Sequence, residues 1–562
     1  MSTNLPLVIR EYVLKMLHEA AVGMKALILD DFTMNVVSAA FTQTELLQKE
    51  VFLVEKLHLH PDKKMQHLKA VCFVRPTNEN IALVCELLKA NTYGEYYLFF
   101  SNILKETHLQ VLAEADEHES VRQVQEVFAS FLAVDPFLFT LDVPNNADFI
   151  RWKPHTHLNT VDRVVEGLAA FLLSVKRRPT IRHQRSSDIS RRVAEDVRRL
   201  AYEQESGLFD FRRSDGTLEL LVLDRMDDPV TPLLAQWTYQ AMVHQLVGVK
   251  NNRVSLSDSA TSKEKQDIVI SSSSDAFFKE NMYANYGDLA LSIKKLVDHF
   301  QTVSKMNKQI ESIEDMQRFI DSFPEFRQQS GNVSKHVALM SELSRIIGDD
   351  SLMAVSEVEQ EIACGSDRMY AFNAVTQQLA DTKVKSVECL KLVLLFALRY
   401  EKEGTRQVDE LVAALVRRNV QPSHVKLVKE IVKYAGEASR TGDLFGNRNF
   451  FARASKLVGG LKGADNVYTQ HQPLLVQTLV NLHKGKMKES DYPYVSAAQR
   501  SGSRDTKPKD ILVFIIGGVT YEEARFVSQL NESGQGGHIT LGGTTILNSG
   551  DFLRDLTAAL CM

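Results

Sequence analysis

Along the first hundred residues, near-continuous apolar runs alternate with segments of helical spacing. The runs KALILD (25–30), VFLVEKL (51–57), AVCFVRP (70–76) and EYYLFFS (95–101) are short and rich in aliphatic and aromatic side chains. Runs of this kind predict strands buried on both faces, as in a parallel sheet covered by helices. The segments between them, such as 77–90, predict those helices. Residues 1–20 place Val8, Tyr12 and Met16 four apart, the spacing of a short amphipathic helix. This α/β unit closes near Pro136.

A second α/β pattern follows, with a helical stretch over 158–205 and the strand ELLVLDR (219–225). Far downstream, DILVFIIGG (510–518) and HITLGGTT (538–545) flank a helical segment at 521–531. Two strands and one helix are too little to fold alone, so they are expected to complete the second sheet. The chain between is then an insertion, and its texture differs. A serine-rich polar loop (255–274) gives way to helical stripes. Val408, Leu411, Val412, Leu415 and Val416 form one. Ile313, Met316, Ile320 and Phe323 form another, which is expected to stop at Pro324, a residue with no amide to donate. Val333, Val337, Met340 and Leu343 start a new one. The pattern predicts a long helical hairpin with a proline near its tip. The fold class is α/β plus α: two parallel-sheet domains, 1–134 and 135–250 with 486–562, and a mainly helical insertion, 251–485.

Composition narrows the function classes. The chain has 562 residues, 44% hydrophobic and 24% charged, as expected of a folded protein of several domains. A net charge of −5 leaves no basic footprint for nucleic acid. The longest apolar run, Leu392 to Leu398, is far shorter than the ~20 residues that span a bilayer. Arg10, Glu11 and Lys15 argue against a secretory signal, and no prenylation motif ends the chain. Five scattered cysteines fit free thiols in a reducing compartment.

The strand ELLVLDR leads into the densest chemistry of the chain, LVLDRMDDPVTPLLAQWTYQAMVHQLVG (221–248). Asp224, Asp227 and Asp228 stand at a strand end, where α/β enzymes place reactive groups. They would suit Mg²⁺ in phosphoryl transfer, but no GxxxxGK[ST] phosphate cradle accompanies them. The other reading is that they cap the following turns and pair with arginines. The glycine pairs in IIGGVTYEEA (515–524) and LGGTT (541–545) read as tight strand-to-helix turns, since GxGxxG is not met. Residues 175–200 carry nine Lys or Arg, a solvated face or a surface for an acidic protein. No HExxH and no GxSxG occurs. No catalytic, cofactor or metal-binding residue is therefore predicted. After EYYLFFS, the residues Leu104, Leu109, Val121 and Val124, with Glu126 beyond, read as core or as a small apolar pocket for a short peptide. Val121 and Val124 sit at helical spacing.

The long motif at 221–248 resembles the signature of the Sec/Munc (SM) family of syntaxin-binding proteins. GLKGADNVYTQHQPLL (460–475), FIIGGVTYEEA (514–524) and ITLGGTT (539–545) are similar to later motifs of that family, in the same order. TQTELLQKEVFLVEKL (42–57), LAEADEHE (112–119) and VSEVEQEIAC (355–364) resemble its endosomal and trans-Golgi branch. The resemblance implies a three-domain arch with no enzymatic activity and no cofactor. It implies binding of a syntaxin-class SNARE and of the assembled SNARE bundle in endosomal, trans-Golgi and vacuolar-lysosomal transport. It also admits a Rab effector as a further partner. Such a protein would be a cytoplasmic monomer, held at Golgi and endosomal membranes only through its partners. Carried over residue by residue, the outer pocket of the first domain comprises Leu104, Leu109, Val121 and Val124, with Glu126 at its rim. It would take a syntaxin N-terminal peptide. Leu104 and Leu109 differ in type from some neuronal relatives, which leaves the peptide preference open. Pro324 matches the hairpin hinge. Asp224, Arg225 and Asp228 become a structural joint, with Trp237 and Tyr239 packing the junction. Two alternatives are a phosphate- or nucleotide-processing enzyme using Asp224, Asp227 and Asp228, and a passive tether subunit.

Overall fold

The computed structural model describes residues 4–561 except 21, 59–63, 155–157, 212–216, 251, 257–265, 273, 309–312, 446–466, 469, 497–507 and 535–536. The chain divides into two compact units. One comprises Met1–Arg225, Thr478–Val519 and Val527–Ile546; the other comprises Met226–Gln477, Thr520–Phe526 and Leu547–Met562.

The first unit holds both large sheets. The strands β1 (Lys25–Leu29), β2 (Val51–Lys56), β3 (Met65–Val74), β4 (Tyr93–Phe100) and β5 (Val121–Glu126) form an all-parallel sheet in the order β2-β1-β3-β4-β5. The apolar runs of β1 and β4 are buried on both faces along most of their length, as their composition requires. The run at 51–57 behaves differently. It is an edge strand, so its burial alternates and Phe52 and Val54 face solvent. The helix Leu5–Glu19 starts behind the Asn4 cap and buries Leu5, Ile9, Val13, Met16 and Leu17. The stripe expected from Val8, Tyr12 and Met16 is thus displaced: Val8 and Tyr12 lie at its margin.

The strands β6 (Leu132–Asp135), β7 (Leu138–Thr140), β8 (Pro179–His183) and β9 (Leu218–Asp224) begin the second sheet. In the other unit, β10 (Arg253–Leu256) and β11 (Gln266–Val269) form a separate antiparallel ribbon within the polar loop. The second sheet is completed by β12 (Asp510–Ile516) and β13 (His538–Gly543), in the order β6-β7-β13-β12-β9-β8. The pairing of β12 with β9 runs from Asp510–Leu218 to Ile516–Asp224, joining segments almost 300 residues apart. Phe139 stacks on Phe171 at 4.4 Å between ring centroids, with Phe131 and Phe514 beside them. Gly542 is the place that admits this ring: a Cβ there would collide with Phe139.

The second unit is mainly helical. Helices Tyr286–Lys308 and Ile313–Asp349 pack against one another, and residues 309–312 between them lie outside the described residues. The stripe expected to stop at Pro324 does not stop. The helix Ile313–Asp349 runs through Pro324, well inside its length. Proline costs a helix one amide and crowds the preceding turn, but the long flanking segments keep the helix going. The helix Ser386–Arg399 is buried from Cys389 to Leu398 without interruption. In the stripe at 408–416, Leu411 and Leu415 are buried while Val416 is exposed.

Candidate peptide-binding surface and the joint at Asp224–Tyr239

The five residues of the expected pocket lie on two segments, the helix Glu106–Ala115 with the residues before it and the edge strand β5. Leu104 lies just before the helix Glu106–Ala115, and Leu109 lies within it; the other three lie on β5. Val121 and Val124 are therefore strand residues, and their helical spacing was misleading. In a regular strand, residues three apart face opposite sides. Here a bulge intervenes. Tyr96 pairs with Val121, but Tyr97 pairs with Gln123, so one extra residue sits in β5. Val124 then pairs with Leu98 and Glu126 with Phe100. Leu98, Tyr96 and Phe100 belong to the outer core layer, with Leu112 and Ala115 of the covering helix. The bulge thus brings Val121, Val124 and Glu126 to one face.

Leu104 and Val121 pack on this core layer, whereas Leu109 is 46% exposed and Val124 38% exposed. The Glu126 carboxylate accepts the Leu104 amide at 2.7 Å and pins the chain where it enters the helix. Glu126 is thus a brace of the surface as well as its rim. Val111, also exposed, was not singled out from the sequence. Its signal was available: it flanks the buried stripe His108, Leu112, Ala115 on the side opposite Leu109. A cleft of about 260 Å³ lies next to Glu126, lined by Tyr12, Lys15, Met16, Phe128, Leu173 and Lys176 among others.

The aspartates at 224–228 do not converge on a common point. Asp224 accepts the Ser187 hydroxyl at 2.7 Å, and its amide donates to Gln184. Arg225 is 2% exposed and donates from Nε and Nη2 to the Gly518 carbonyl at 3.1 and 3.0 Å. Gly517 and Gly518 adopt φ values of +89° and +102°, and a Cβ on Gly517 would press on Arg225. This strand-to-helix turn needs its glycines to meet the arginine, which settles the role of IIGG.

The chain passes from the first unit to the second after Arg225. Asp227 accepts the Thr441 amide at 2.5 Å. Asp228 accepts the amides of Val230, Thr231 and Leu474 and the Thr231 hydroxyl, at 2.6–3.2 Å. Four donors on one buried carboxylate make it a tie between segments, the capping reading of these acids. No grouping of metal-ligating side chains occurs among the described residues. Trp237 Nε1 donates to Ser356 at 2.7 Å and its ring lies near Tyr286 and Tyr468. The Tyr239 hydroxyl meets His336 Nδ1 at 2.8 Å, and His336 Nε2 meets Asp275 at 3.0 Å. Lys335 also pairs with Asp275. Both rings belong to the core of the helical unit.

The basic stretch at 175–200 is largely matched internally. Arg177 pairs with Asp510, Arg182 with Glu219, Arg191 with Asp188, Arg192 with Asp196, Arg198 with Glu203 and Arg199 with Asp196. Arg178 lies over the Tyr202 ring, and Arg185 donates to the Ser490 carbonyl. Apart from the buried Arg182–Glu219 pair, this is a largely solvated face with its own counter-charges.

The Sec1 family model matches residues 25–555. The chain is 47% identical to a vacuolar protein sorting-associated protein 45 homolog of Arabidopsis thaliana, over 98% of this chain and 97% of that one. It is 42% identical to vacuolar protein sorting-associated protein 45 of Homo sapiens, over 99% and 96%. Among solved structures, the SM protein Vps45 in complex with the Qa SNARE Tlg2 matches with a TM-score of 0.90 and 41% identity. That match covers 99% of this chain and 98% of that one. On this evidence the chain belongs to the Sec1 family.

Proposed function

We propose that this protein is a non-enzymatic SM-type regulator that binds a syntaxin-class Qa SNARE and templates SNARE assembly in endosomal, trans-Golgi and vacuolar transport. The similarity to a Vps45 structure solved with a Qa SNARE supports the partner class. The observation that carries the site is local: Leu109 on the helix Glu106–Ala115 and Val124 on the edge strand stand exposed, while Leu104 and Val121 pack on the core layer and Glu126 braces the chain. A short peptide with one bulky apolar side chain would bury this surface, and the fixed backbone means little ordering cost on the protein's side. No helix among the described residues is long and apolar enough to cross a membrane. Attachment to Golgi and endosomal membranes through the SNARE is the matching mode of localisation.

The three-part division into 1–134, 135–250 with 486–562, and 251–485 goes with this reading, the helical part carrying the SNARE bundle. Pro324 has no amide to close the ladder to the preceding turn, so the helix Ile313–Asp349 yields there first when the hairpin bends. The job needs a template that orders amphipathic SNARE helices in advance, and no reactive group.

Leu109→Arg tests the surface. Replacing an exposed apolar contact with a charge that the peptide must bury should weaken binding of a syntaxin N-terminal peptide at least tenfold, about 1.4 kcal/mol. The melting temperature should stay the same, because Leu109 is not in the core. Calorimetry that returns an unchanged affinity on folded protein would remove the assignment.

A further inference from the structure

The strand order β2-β1-β3-β4-β5 reverses direction between β1 and β3. Open parallel sheets bind phosphate-bearing ligands at such a reversal, outside the carboxyl ends of the strands. In this chain the residues just past those two ends are Asp30 and Arg75. Both strands lead into helices, Asp31–Ala40 and Asn78–Ala90, whose first turns are electropositive. Two guanidinium groups add to the field: Arg75 lies 5.6 Å and Arg163 4.9 Å from the Phe32 ring. Arg163 is held by the carbonyls of Ser130 and Leu141, and burial lowers its pKa to about 9, with Arg75 contributing. The crevice therefore has the cations and amides that an oxyanion requires.

We propose that the Asp30 carboxylate is a built-in anion that fills this ligand crevice and closes it to phosphate and nucleotides. Asp30 is 7% exposed. One oxygen accepts the Thr33 amide at 2.7 Å. The other accepts the Arg75 amide at 2.6 Å and the Asn80 side-chain amide at 2.8 Å. Three donors from three elements converge on it, far more than a helix cap needs. The Thr33 hydroxyl gives its proton to the Phe73 carbonyl at 2.6 Å, which ties the same helix start to β3. This goes beyond the SNARE role. It accounts for how a sheet with ligand-binding topology serves as a wall: its ligand is covalently part of it.

Asp30→Ser tests the proposal in the full chain. Serine still caps the helix for Thr33, but leaves the Arg75 amide without its acceptor, leaves the Asn80 side-chain amide with only the Arg75 carbonyl, and takes one negative charge from beside Arg163, Arg75 keeping Glu166 at 3.9 Å. The melting temperature should fall by several degrees. Inorganic phosphate, against chloride at matched ionic strength, should raise it by at least about 2 °C more than in the unchanged protein. Asp367→Ser is the control. Asp367 also caps a helix, accepting two amides, but stands exposed without such a crevice, so phosphate should not rescue it. An equal phosphate response in Asp30→Ser and the unchanged protein, or in Asp30→Ser and Asp367→Ser, overturns the proposal. Should Asp30→Ser not be recovered folded, its refolding yield in phosphate against chloride is the readout, and equal yields overturn it equally.

Discussion

The joint at 224–239 and the edge surface at 104–126 are opposites. The joint is crowded with polar groups, and its charged ones are met by partners: Asp228 has four donors and Arg225 holds the Gly518 carbonyl. The edge surface is also rich in polar residues, but most of them stand in solvent, and Leu109, Val111 and Val124 stand in water beside them. A carboxylate with all its partners in place has little left to offer a substrate, whereas an exposed apolar side chain gains by being covered. In this molecule the buried charge marks stability, and the exposed apolar side chains mark the place proposed for a partner.

Several experiments bear on that contrast. The largest effect is expected from Asp228→Ala. It strands three amides and a hydroxyl in a buried site, a loss of about 3 kcal/mol or more. The melting temperature and soluble yield should drop, while peptide affinity per folded molecule stays the same. Lost affinity in the folded fraction would mean that the joint takes part in recognition.

Acid should attack the buried polar side of the contrast in a graded way. His244 is buried against Tyr521, and desolvation pushes its pKa down to about 4, with Asp551 opposing. The unfolded chain, with a histidine near 6.5, takes up the proton first. The stability from a neutral His244 is therefore complete above about pH 6.5 and lost as pH falls toward 4, about 2 kcal/mol of it by pH 5. Melting curves between pH 7 and pH 5 should show this slope, and His244→Phe should flatten it. A slope that survives the substitution puts the acid sensitivity elsewhere. The smallest effect is expected from Arg199→Ala, which removes a half-exposed ion pair with Asp196. It should change stability by less than about 0.5 kcal/mol, and a larger loss would mean that the basic face is more than a solvated surface.

Much of the architecture was legible because it follows from burial. Uninterrupted apolar runs gave β1 and β4, and the short pattern at 510–545 found its place beside β9. The misreadings have physical causes. Phe52 and Val54 look like core residues, but an edge position exposes them. Pro324 looks like a stop, but a long helix absorbs the loss of one amide. Val121 and Val124 look helical because a bulge mimics a spacing of three. The role of Asp30 was not legible at all. Its donors, Thr33, Arg75 and Asn80, become neighbours only when β1 and β3 are side by side.

The bulge in β5 works like a frame in a code. Everything after Arg122 is read one position late, and that offset puts Val124 and Glu126 beside Leu98 and Phe100. Flattening the bulge with every residue kept would leave every side chain chemically intact and turn the face over, presenting Gln123 and Gln125 where Val124 and Glu126 had been. The peptide surface proposed there would then be lost through a shift in phase, in a chain whose composition had not changed.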